Sequence, residues 1–563
     1  MVQHETAAEY AALPRHHQAT HDEKLIITAS SLGTVFEWYD FYLYGLLTAI
    51  IAAKFLTGLN PTTSFIMALL VFAAGFIVRP FGALVFGKIG DTFGRRYTFI
   101  ITLLVMGLST FLVGCLPTYE TAGVAAPVML VGLRMFQGLA LGGEYGGAAT
   151  YVAEHAPDNR RGFYTSWIQI TATAGLAMAL LIVITVRSPV TGVGEEAFKD
   201  WGWRIPYLLS GLFLAVGLWL RLKLHESPVF QKMKAEGTSS KRPLTEAFGE
   251  WKNLRIVLIA FFGAIAGQAV IWYTGQLYAM YFLEKMLKVD GLTTNTLIIV
   301  ALLLGTPFFL VFGWLSDKVG RKPIILAGCA LAAATLFPVF HALTEAANPA
   351  LARAQASAPV TVTAYAGECS SQFDPVGTNK FDRTSCDIVK NALAKAAVNY
   401  TNVAAPAGTV AAIAIGSETI VAPDPKVHSG DEKKAAIAAF AASVTGELAK
   451  VGYPARADPA RIDKPRVIAL LWYLVLLVTM VYGPIAAMLV ELFPSRIRYS
   501  SMSLPYHIGN GWLGGLLPAV GFAMVAANGN IYHGFWYPVV VAAATCVIGL
   551  LFLPETFRRS IDD

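Results

Sequence analysis

Charged residues are scarce in this sequence. Asp, Glu, Lys and Arg make up 14% of its 563 residues, and 55% of the residues are hydrophobic. Soluble domains carry about 25% charged residues. The mean hydropathy of +0.55 agrees with this balance. The composition excludes an ordinary soluble domain and indicates a membrane protein.

Motifs for ATP hydrolysis and metal chemistry are also missing. The chain contains no G-x-x-x-x-G-K-[ST] loop, no H-E-x-x-H pair and no cluster of Cys and His. ATP-driven pumping and metalloenzyme chemistry therefore lack their residues. We expect neither an enzyme nor a bound cofactor.

Long apolar runs take the place of the missing charge, and they predict an all-α membrane protein with twelve transmembrane helices. The first 24 residues lack the basic start and small-residue cleavage site of a signal peptide, so the first span is expected to remain. The predicted spans are residues 25–53, 65–88, 97–116, 126–152, 162–187, 203–221, 254–284, 294–315, 322–343, 465–491, 500–526 and 535–555.

The basic residues predict the orientation of these spans. Lys and Arg concentrate in every second loop, as at 88–96, 221–255 and 318–322, whereas the short loops on the other side hold few. Because basic loops stay in the cytoplasm, we expect both termini there, in a bacterial inner membrane. The net charge of +6 then reflects topology, and nothing favours nucleic-acid binding.

The sequence contains an internal repeat. "GKIGDTFGRR" at 87–96 recurs as "GWLSDKVGRK" at 313–322, and "EHAPDNRR" at 154–161 recurs as "ELFPSRIR" at 491–498. The copies follow the second and eighth spans and the fourth and tenth spans. Two six-helix pseudo-repeats are therefore predicted.

The second half carries an insertion between its ninth and tenth helices. Asp91 and Glu154 are 63 residues apart, whereas the equivalent Asp317 and Glu491 are 174 apart. The excess matches the polar, alanine-rich segment 345–463, which the topology puts outside the cytoplasm.

We expect a small periplasmic subdomain there, with an amphipathic helix at 431–451. Cys369 and Cys386 lie in this segment, where an oxidising periplasm allows a disulfide; two free thiols are the alternative. The whole chain then divides into a cytoplasmic tail 1–24, a first bundle 25–221, a cytoplasmic linker 222–253, helices seven to nine at 254–344, the insertion 345–463, helices ten to twelve at 464–556 and a cytoplasmic tail 557–563.

The repeated loops have the residues of a switchable contact. Glycines allow a tight turn and close helix approach, and an arginine can form an ion pair that holds one packing of the halves and releases in the other. Simple topology signals are the alternative. The candidate gating residues are Gly87, Asp91, Gly94, Arg95, Arg96, Glu154, Arg161, Gly313, Asp317, Gly320, Arg321, Lys322, Glu491 and Arg496.

Charged residues also lie deep inside the predicted spans of the first half. Glu37, Asp40, Arg79 and Glu144 are roughly 15–22 Å from the cytoplasmic ends of their helices at 1.5 Å per residue, and Arg134 lies further out. Charges at this depth are costly and indicate function. A carboxylate beside an arginine can be ionised and paired or protonated and released, as proton coupling requires; a static salt bridge is the alternative.

These segments together resemble a known family. "GKIGDTFGRR" is similar to the signature loop of the major facilitator superfamily. "FEWYDFYLYG", "VRPFGALVFGKIGDTFGRR" and "GLRMFQGLALGGEYGG" resemble its metabolite:proton symporter branch, which includes permeases for 2-oxoglutarate, citrate, shikimate and proline or betaine. The resemblance implies proton coupling by Asp40, with Arg134 as its partner and Glu37 or Glu144 as alternates.

The resemblance also implies the direction and substrate of transport. Antiporters of the superfamily usually carry a Gly-Pro pair in span five, which is absent here, so uptake by symport is favoured. Arg79 and Arg134 suit an organic acid; a zwitterionic osmolyte such as proline or betaine, or a non-transporting nutrient sensor, are the alternatives. We expect a monomer, with candidate substrate-binding residues Tyr44, Arg79, Gln137, Gln268, Trp272, Tyr273, Gln276, Tyr506 and Asn510.

Overall fold

The computed structural model describes residues 21–56, 61–222, 226–370, 381–396 and 398–561. Most of the predicted amino-terminal tail 1–24 therefore lies outside the described residues, as do residues 223–225 of the predicted linker and the last two residues of the predicted tail 557–563. The side chains of residues 21–33 and 61–70 are also outside the description.

Long helices occupy all twelve predicted spans. Among the fully described residues, ten segments are long and apolar enough to cross a membrane, and the first two helices, 35 and 32 residues long, fill the first two spans. The helices are α1 His21–Phe55, α2 Pro61–Thr92, α3 Arg95–Cys115, α4 Ala125–His155, α5 Arg161–Arg187, α6 Arg204–Leu222, α7 Trp251–Met286, α8 Gly291–Val319, α9 Arg321–Ala347, α10 Lys464–Leu492, α11 Arg498–Val525 and α12 His533–Phe552.

Several helices of the second half are interrupted. Helix α8 is broken before Pro307 and α10 before Ile485, where Pro484 lacks the N–H that a continuous helix needs. Wider π-helical turns interrupt α7 at Thr274–Tyr278 and α11 at Ile508–Gly514. Such turns are frequent at functional sites.

Short helices connect the long ones. The linker between the two halves contains Pro228–Glu236 and Pro243–Gly249. The loops on the opposite side of the first half contain Tyr119–Ala122, Glu195–Ala197 and Phe198–Gly202.

The insertion folds as a small α/β unit. Its strands β1 Val360–Ala364, β2 Tyr400–Ala404, β3 Ala412–Ile415 and β4 Glu418–Val421 form one sheet in the order β2-β1-β3-β4. Strands β1 and β2 are parallel and the other pairs antiparallel. Helices Pro349–Ser357, Ser385–Ala396 and Gly430–Lys450 complete the unit.

The core of this unit follows from its sequence periodicity. Phe440, Val444 and Leu448 are buried at four-residue spacing on the last helix, as expected for the predicted amphipathic segment. Cys369 and Cys386 are joined by a disulfide, which closes the segment that precedes the helix Ser385–Ala396.

The insertion docks on the second half. The backbone N–H of Tyr400 donates to the carbonyl of Gly529 at 3.1 Å, and the Asn402 amide donates to the carbonyl of Asn528 at 2.8 Å. The Lys288 ammonium donates to the carbonyl of Pro454 at 3.1 Å. The unit therefore rests on the α7–α8 and α11–α12 loops.

Candidate functional site: a gate and a central cavity

The repeated loops join the two halves at one end of the helix bundle. The Asp91 carboxylate accepts the backbone N–H groups of Tyr499 and Ser500, at 3.3 and 2.8 Å, in the first turn of α11. The Asp317 carboxylate accepts those of Gly162 and Phe163, both at 2.8 Å, in the first turn of α5. Each aspartate thus caps a helix of the opposite half, where the helix dipole favours negative charge.

Ion pairs across the halves surround these caps. Arg161 lies 2.9 Å from Glu491, and Arg498 lies 2.9 Å from Glu154. Arg321 lies 3.0 Å from Glu491 within the second half, and the Arg95 guanidinium donates to the carbonyl of Ser495 at 2.8 Å. The structure is therefore closed on the side of the repeated loops.

One predicted gating residue takes a different role. Arg496 pairs with Glu246 of the linker at 2.5 Å and is half-exposed, whereas the buried cross-half position belongs to Arg498. The repeat accounts for these positions, because Arg498 follows Glu491 by seven residues, as Arg161 follows Glu154.

The other loop residues fix the local geometry. Gly94 and Gly320 have φ angles of 128° and 105°, which side chains rarely adopt. The Arg96 side chain donates to the carbonyl of Leu222 at 2.7 Å, and the Lys322 ammonium donates to the carbonyl of Leu550 at 3.0 Å. These contacts anchor each loop within its own half.

Two acids that sequence reasoning missed complete the gate. The Glu226 carboxylate accepts the N–H of Arg95 at 3.1 Å, and the Glu555 carboxylate accepts the N–H of Arg321 at 2.9 Å. The residues that follow them, Ser227 and Thr556, donate to Glu154 and Glu491. These two acids could have been found from the matching short motifs "HES" at 225–227 and "PET" at 554–556.

A central cavity lies between the halves, beyond the gate. Its empty volume, counted together with the space at its open mouth, is about 550 Å³. Helices α1, α2 and α4 of the first half and α7, α10 and α11 of the second half form its walls. The lining residues are Thr34, Glu37, Trp38, Arg79, Leu141, Glu144, Tyr145, Trp272, Tyr273, Tyr482, Tyr506, His507 and Asn510.

Arg79 brings a positive charge to the cavity. Its guanidinium lies 5.1 Å from the Phe41 ring centroid and 4.4 Å from that of Phe76, and it faces the Tyr273 hydroxyl. It has no carboxylate partner among the described residues. This buried cation can therefore receive an anionic group of a ligand.

Glu37 and Glu144 share one cation, Arg221, which the sequence analysis counted among the cytoplasmic basic residues. One guanidinium nitrogen of Arg221, at the end of α6, lies 2.6 Å from Glu37 and 2.7 Å from Glu144. Arg221 is fully buried. Thr102 donates to the second Glu144 oxygen at 2.8 Å.

Asp40 and Arg134 lie in a neighbouring part of the first half. Asp40 faces the Thr110 hydroxyl and the charge of Arg134, while Arg134 donates to Gln137 at 2.5 Å and lies 4.3 Å from the Tyr44 ring centroid. Both Arg134 and Gln137 line a smaller cavity of about 230 Å³. None of these five residues is among the residues that line the central cavity.

The polar residues of the second half divide in a similar way. Four of the predicted substrate-binding residues, Trp272, Tyr273, Tyr506 and Asn510, line the cavity, and so does His507. Gln268 lies behind Asn510 and exchanges amide hydrogen bonds with it at 3.1 and 3.2 Å. The predicted Gln276 is buried but lies outside the described lining.

Stacked tyrosines connect the halves above the gate. The rings of Tyr145 and Tyr506 are parallel at 3.7 Å, and the hydroxyl groups of Tyr482 and Tyr506 are 2.6 Å apart. The neighbouring residues of α4 also touch the gate, because the Tyr499 hydroxyl donates to the Gly143 carbonyl. Helix α4 therefore contacts both the cavity and the gate within three residues.

Comparison with known proteins identifies this architecture. The family model described as "Sugar (and other) transporter" matches residues 25–250, 233–367 and 435–563, more than half of the chain. The chain belongs to this transporter family. The fold agrees, because the major facilitator superfamily proton:xylose symporter XylE bound to 6-bromo-6-deoxy-D-glucose aligns with a TM-score of 0.63 and 15% identity, over 97% of this chain and 98% of XylE.

Sequence relatives in the family differ in what they carry. The proline/betaine transporter of Escherichia coli K12 is 35% identical over 325 residues, which are 56% of this chain and 63% of that protein. The alpha-ketoglutarate permease of the same strain is 34% identical over 323 residues, which are 57% of this chain and 72% of that protein. The chain thus spans just under two thirds of the length of the proline/betaine transporter.

Proposed function

We propose that this family member is a proton-coupled symporter that takes up a small organic acid by alternating access. Arg79 carries the proposal, because it is a buried cation in the central cavity without a carboxylate partner among the described residues. A substrate carboxylate would supply the missing partner through charge-assisted hydrogen bonds.

The buried charges supply a reason for proton coupling. Three arginines and three acids are buried around the two cavities: Arg79, Arg134, Arg221, Glu37, Asp40 and Glu144. With His507 uncharged, these six groups are neutral in sum. Binding one carboxylate adds a negative charge, which is costly in a membrane interior. One proton taken up by an acid restores neutrality, so we expect one proton per monocarboxylate.

The closed cytoplasmic gate supports the alternating-access part of the proposal. The caps made by Asp91 and Asp317 and the pairs of Glu154 and Glu491 join the halves on the side of the cavity where the repeated loops lie. Opening these contacts would release substrate and proton to the cytoplasm. The proposal includes a monomer in the bacterial inner membrane with both termini in the cytoplasm and no catalytic activity.

A zwitterionic osmolyte is a second candidate. Trp38 and Trp272 face each other across the halves with ring centroids 6.0 Å apart, and both line the cavity. Aromatic walls suit a quaternary ammonium group. Uptake of such a neutral substrate with a proton would move net positive charge, whereas uptake of a monocarboxylate with a proton would not.

Proton movement in proteoliposomes tests the proposal. Purified protein would be screened with lactate, succinate, 2-oxoglutarate, citrate, proline and glycine betaine, each beside a neutral amide or ester analogue where one exists. We expect alkalinisation of the outside medium with at least one organic acid and none with its neutral analogue. Proton movement with proline or betaine alone would favour the second candidate, and no movement with any compound would contradict symport of these substrates.

A further inference from the structure

We infer that Glu37 takes up and releases the transported proton, and that Arg221, held by Glu144, is its positioning residue. This inference rests on the proposed proton symport and departs from the expectation that Asp40 carries the proton. Its basis is the cluster of Glu37, Arg221 and Glu144 at the cavity wall.

The cluster contains one cation between two acids. The same Arg221 nitrogen lies 2.6 Å from Glu37 and 2.7 Å from Glu144, and the other terminal nitrogen donates to the Phe99 carbonyl at 2.6 Å. The guanidinium also lies 3.5 Å from the Phe99 ring centroid. Arg221 is thus held from three sides and cannot follow either acid freely.

The charge of this cluster favours a proton on one acid. When both acids are ionised, the cluster carries one net negative charge with all three side chains buried. Two carboxylates that share a buried site do not both ionise easily, and their protons belong to the pair. One added proton leaves a neutral cluster with a single Arg–carboxylate pair.

The hydrogen bonds distinguish the two acids. Both oxygens of Glu144 are engaged, one by Arg221 and the other by Thr102 at 2.8 Å. Glu37 accepts from Arg221 through one oxygen, and its second oxygen has no hydrogen-bond partner among the described residues. Glu144 is therefore the permanent partner of Arg221, and Glu37 has a free oxygen for a proton.

Glu37 can also exchange that proton with the cavity. It lines the central cavity, and the other titratable groups in the described lining are Arg79, Glu144, Tyr145, Tyr273, Tyr482, Tyr506 and His507. Tyr499 of α11 faces the cluster from the gate side. A proton that enters from the extracellular side binds the free Glu37 oxygen, and the same O–H bond breaks when the cavity opens to the cytoplasm.

The neighbours of both acids connect the cluster to the moving parts. Trp38, next to Glu37, packs against Trp272 of the opposite half. Gly143 and Tyr145, on either side of Glu144, contact Tyr499 and Tyr506 of α11. A change of charge at the cluster therefore acts on helices that touch both the gate and the substrate cavity.

Transport measurements with matched acid variants test the inference. Proteoliposomes that contain the wild type, Glu37→Gln or Asp40→Asn would be given, in the outside medium, the panel compound that the wild type moves with protons. One pH unit is worth about 1.4 kcal/mol, or roughly tenfold accumulation at one proton per substrate. We expect the wild type to accumulate and Glu37→Gln only to equilibrate, while Glu37→Gln still exchanges labelled for unlabelled compound at equal pH.

The same experiment can overturn the inference. Accumulation by Glu37→Gln would place the proton on another residue. If accumulation were lost in Asp40→Asn and retained in Glu37→Gln, that residue would be Asp40. Glu37→Asp keeps the carboxyl group and should still accumulate, which separates loss of the acid from loss of the fold.

A measurement without substrate separates this inference from the proposed function. Infrared difference spectra of the purified protein after a pH change report the carbonyl stretch of a protonated carboxyl group. We expect this band to vanish in Glu37→Gln and to titrate at a different pH in Arg221→Lys, which would show the positioning role. A band unchanged in Glu37→Gln would overturn the inference, even if the wild type transported none of the compounds.

Discussion

The two gate aspartates offer a test of the closed conformation. Asp91 and Asp317 each accept two backbone N–H groups of a helix in the opposite half. Loss of an N-cap costs about 0.5–2 kcal/mol, and loss of negative charge at a helix start costs about 0.3–1 kcal/mol. We therefore expect each aspartate-to-alanine change to disfavour the closed gate by about 2 kcal/mol.

This free energy has a measurable consequence. At 1.4 kcal/mol per factor of ten, each change should shift the closed-to-open ratio roughly 30-fold, and both together roughly 1,000-fold if they add. Asparagine should shift the ratio less, because it caps helices as well as aspartate does and loses only the charge.

Distances between spin labels would measure the shift. Lys88 and Lys318 are exposed near the gate ends of α2 and α8, so labels there report the separation of the halves. We expect one short distance in the wild type and an added longer distance in the double alanine variant. Asp290→Ala is a matched control, because Asp290 caps α8 within its own half by accepting the N–H of Thr293 at 2.9 Å. An unchanged distribution in the double variant would refute this account of the gate.

Three further predictions follow from the site and the insertion. Arg79→Gln should raise KM for a transported carboxylate by roughly 10- to 150-fold, because a hydrogen bond to a charged group contributes about 1.5–3 kcal/mol. An equal rise in KM for a neutral analogue would contradict this. Replacing Cys369 and Cys386 by serine should destabilise the insertion by about 3 kcal/mol, seen as faster cleavage by protease added to the periplasmic face, and unchanged cleavage would argue against a structural role. Burial raises the pKa of the Glu226 carboxyl above its ordinary value of 4.5. The stability that the protonated carboxyl contributes should therefore be complete below pH 4.5 and should be lost as the pH rises through the raised pKa. The resulting fall in Tm should be absent in Glu226→Gln.

The fold could be predicted from the sequence because the membrane permits few architectures. Backbone groups in lipid must pair within the segment, so twelve apolar runs gave twelve helices, and the repeated loops gave the two halves. The gate was predictable for the same reason, since each loop occurs twice. Arg496 was the exception, where the repeat itself pointed to Arg498.

The buried site was harder to predict because depth depends on how helices tilt and where they end. Arg221 closes α6 in the sequence and was counted among the cytoplasmic basic residues, yet it is fully buried between Glu37 and Glu144. Spacing along one helix placed Asp40 beside Glu37, and the resemblance paired Asp40 with Arg134, but only packing shows that Glu37 lines the central cavity whereas Asp40 does not.

The ratio of protons to substrate tests the central claim most directly. Uptake of labelled monocarboxylate and movement of protons would be measured together in proteoliposomes, with the membrane potential set by potassium and valinomycin. The charge balance of the buried site predicts one proton per monocarboxylate and an uptake rate independent of the potential. Uptake without protons, or uptake driven by an inside-negative potential, would contradict it.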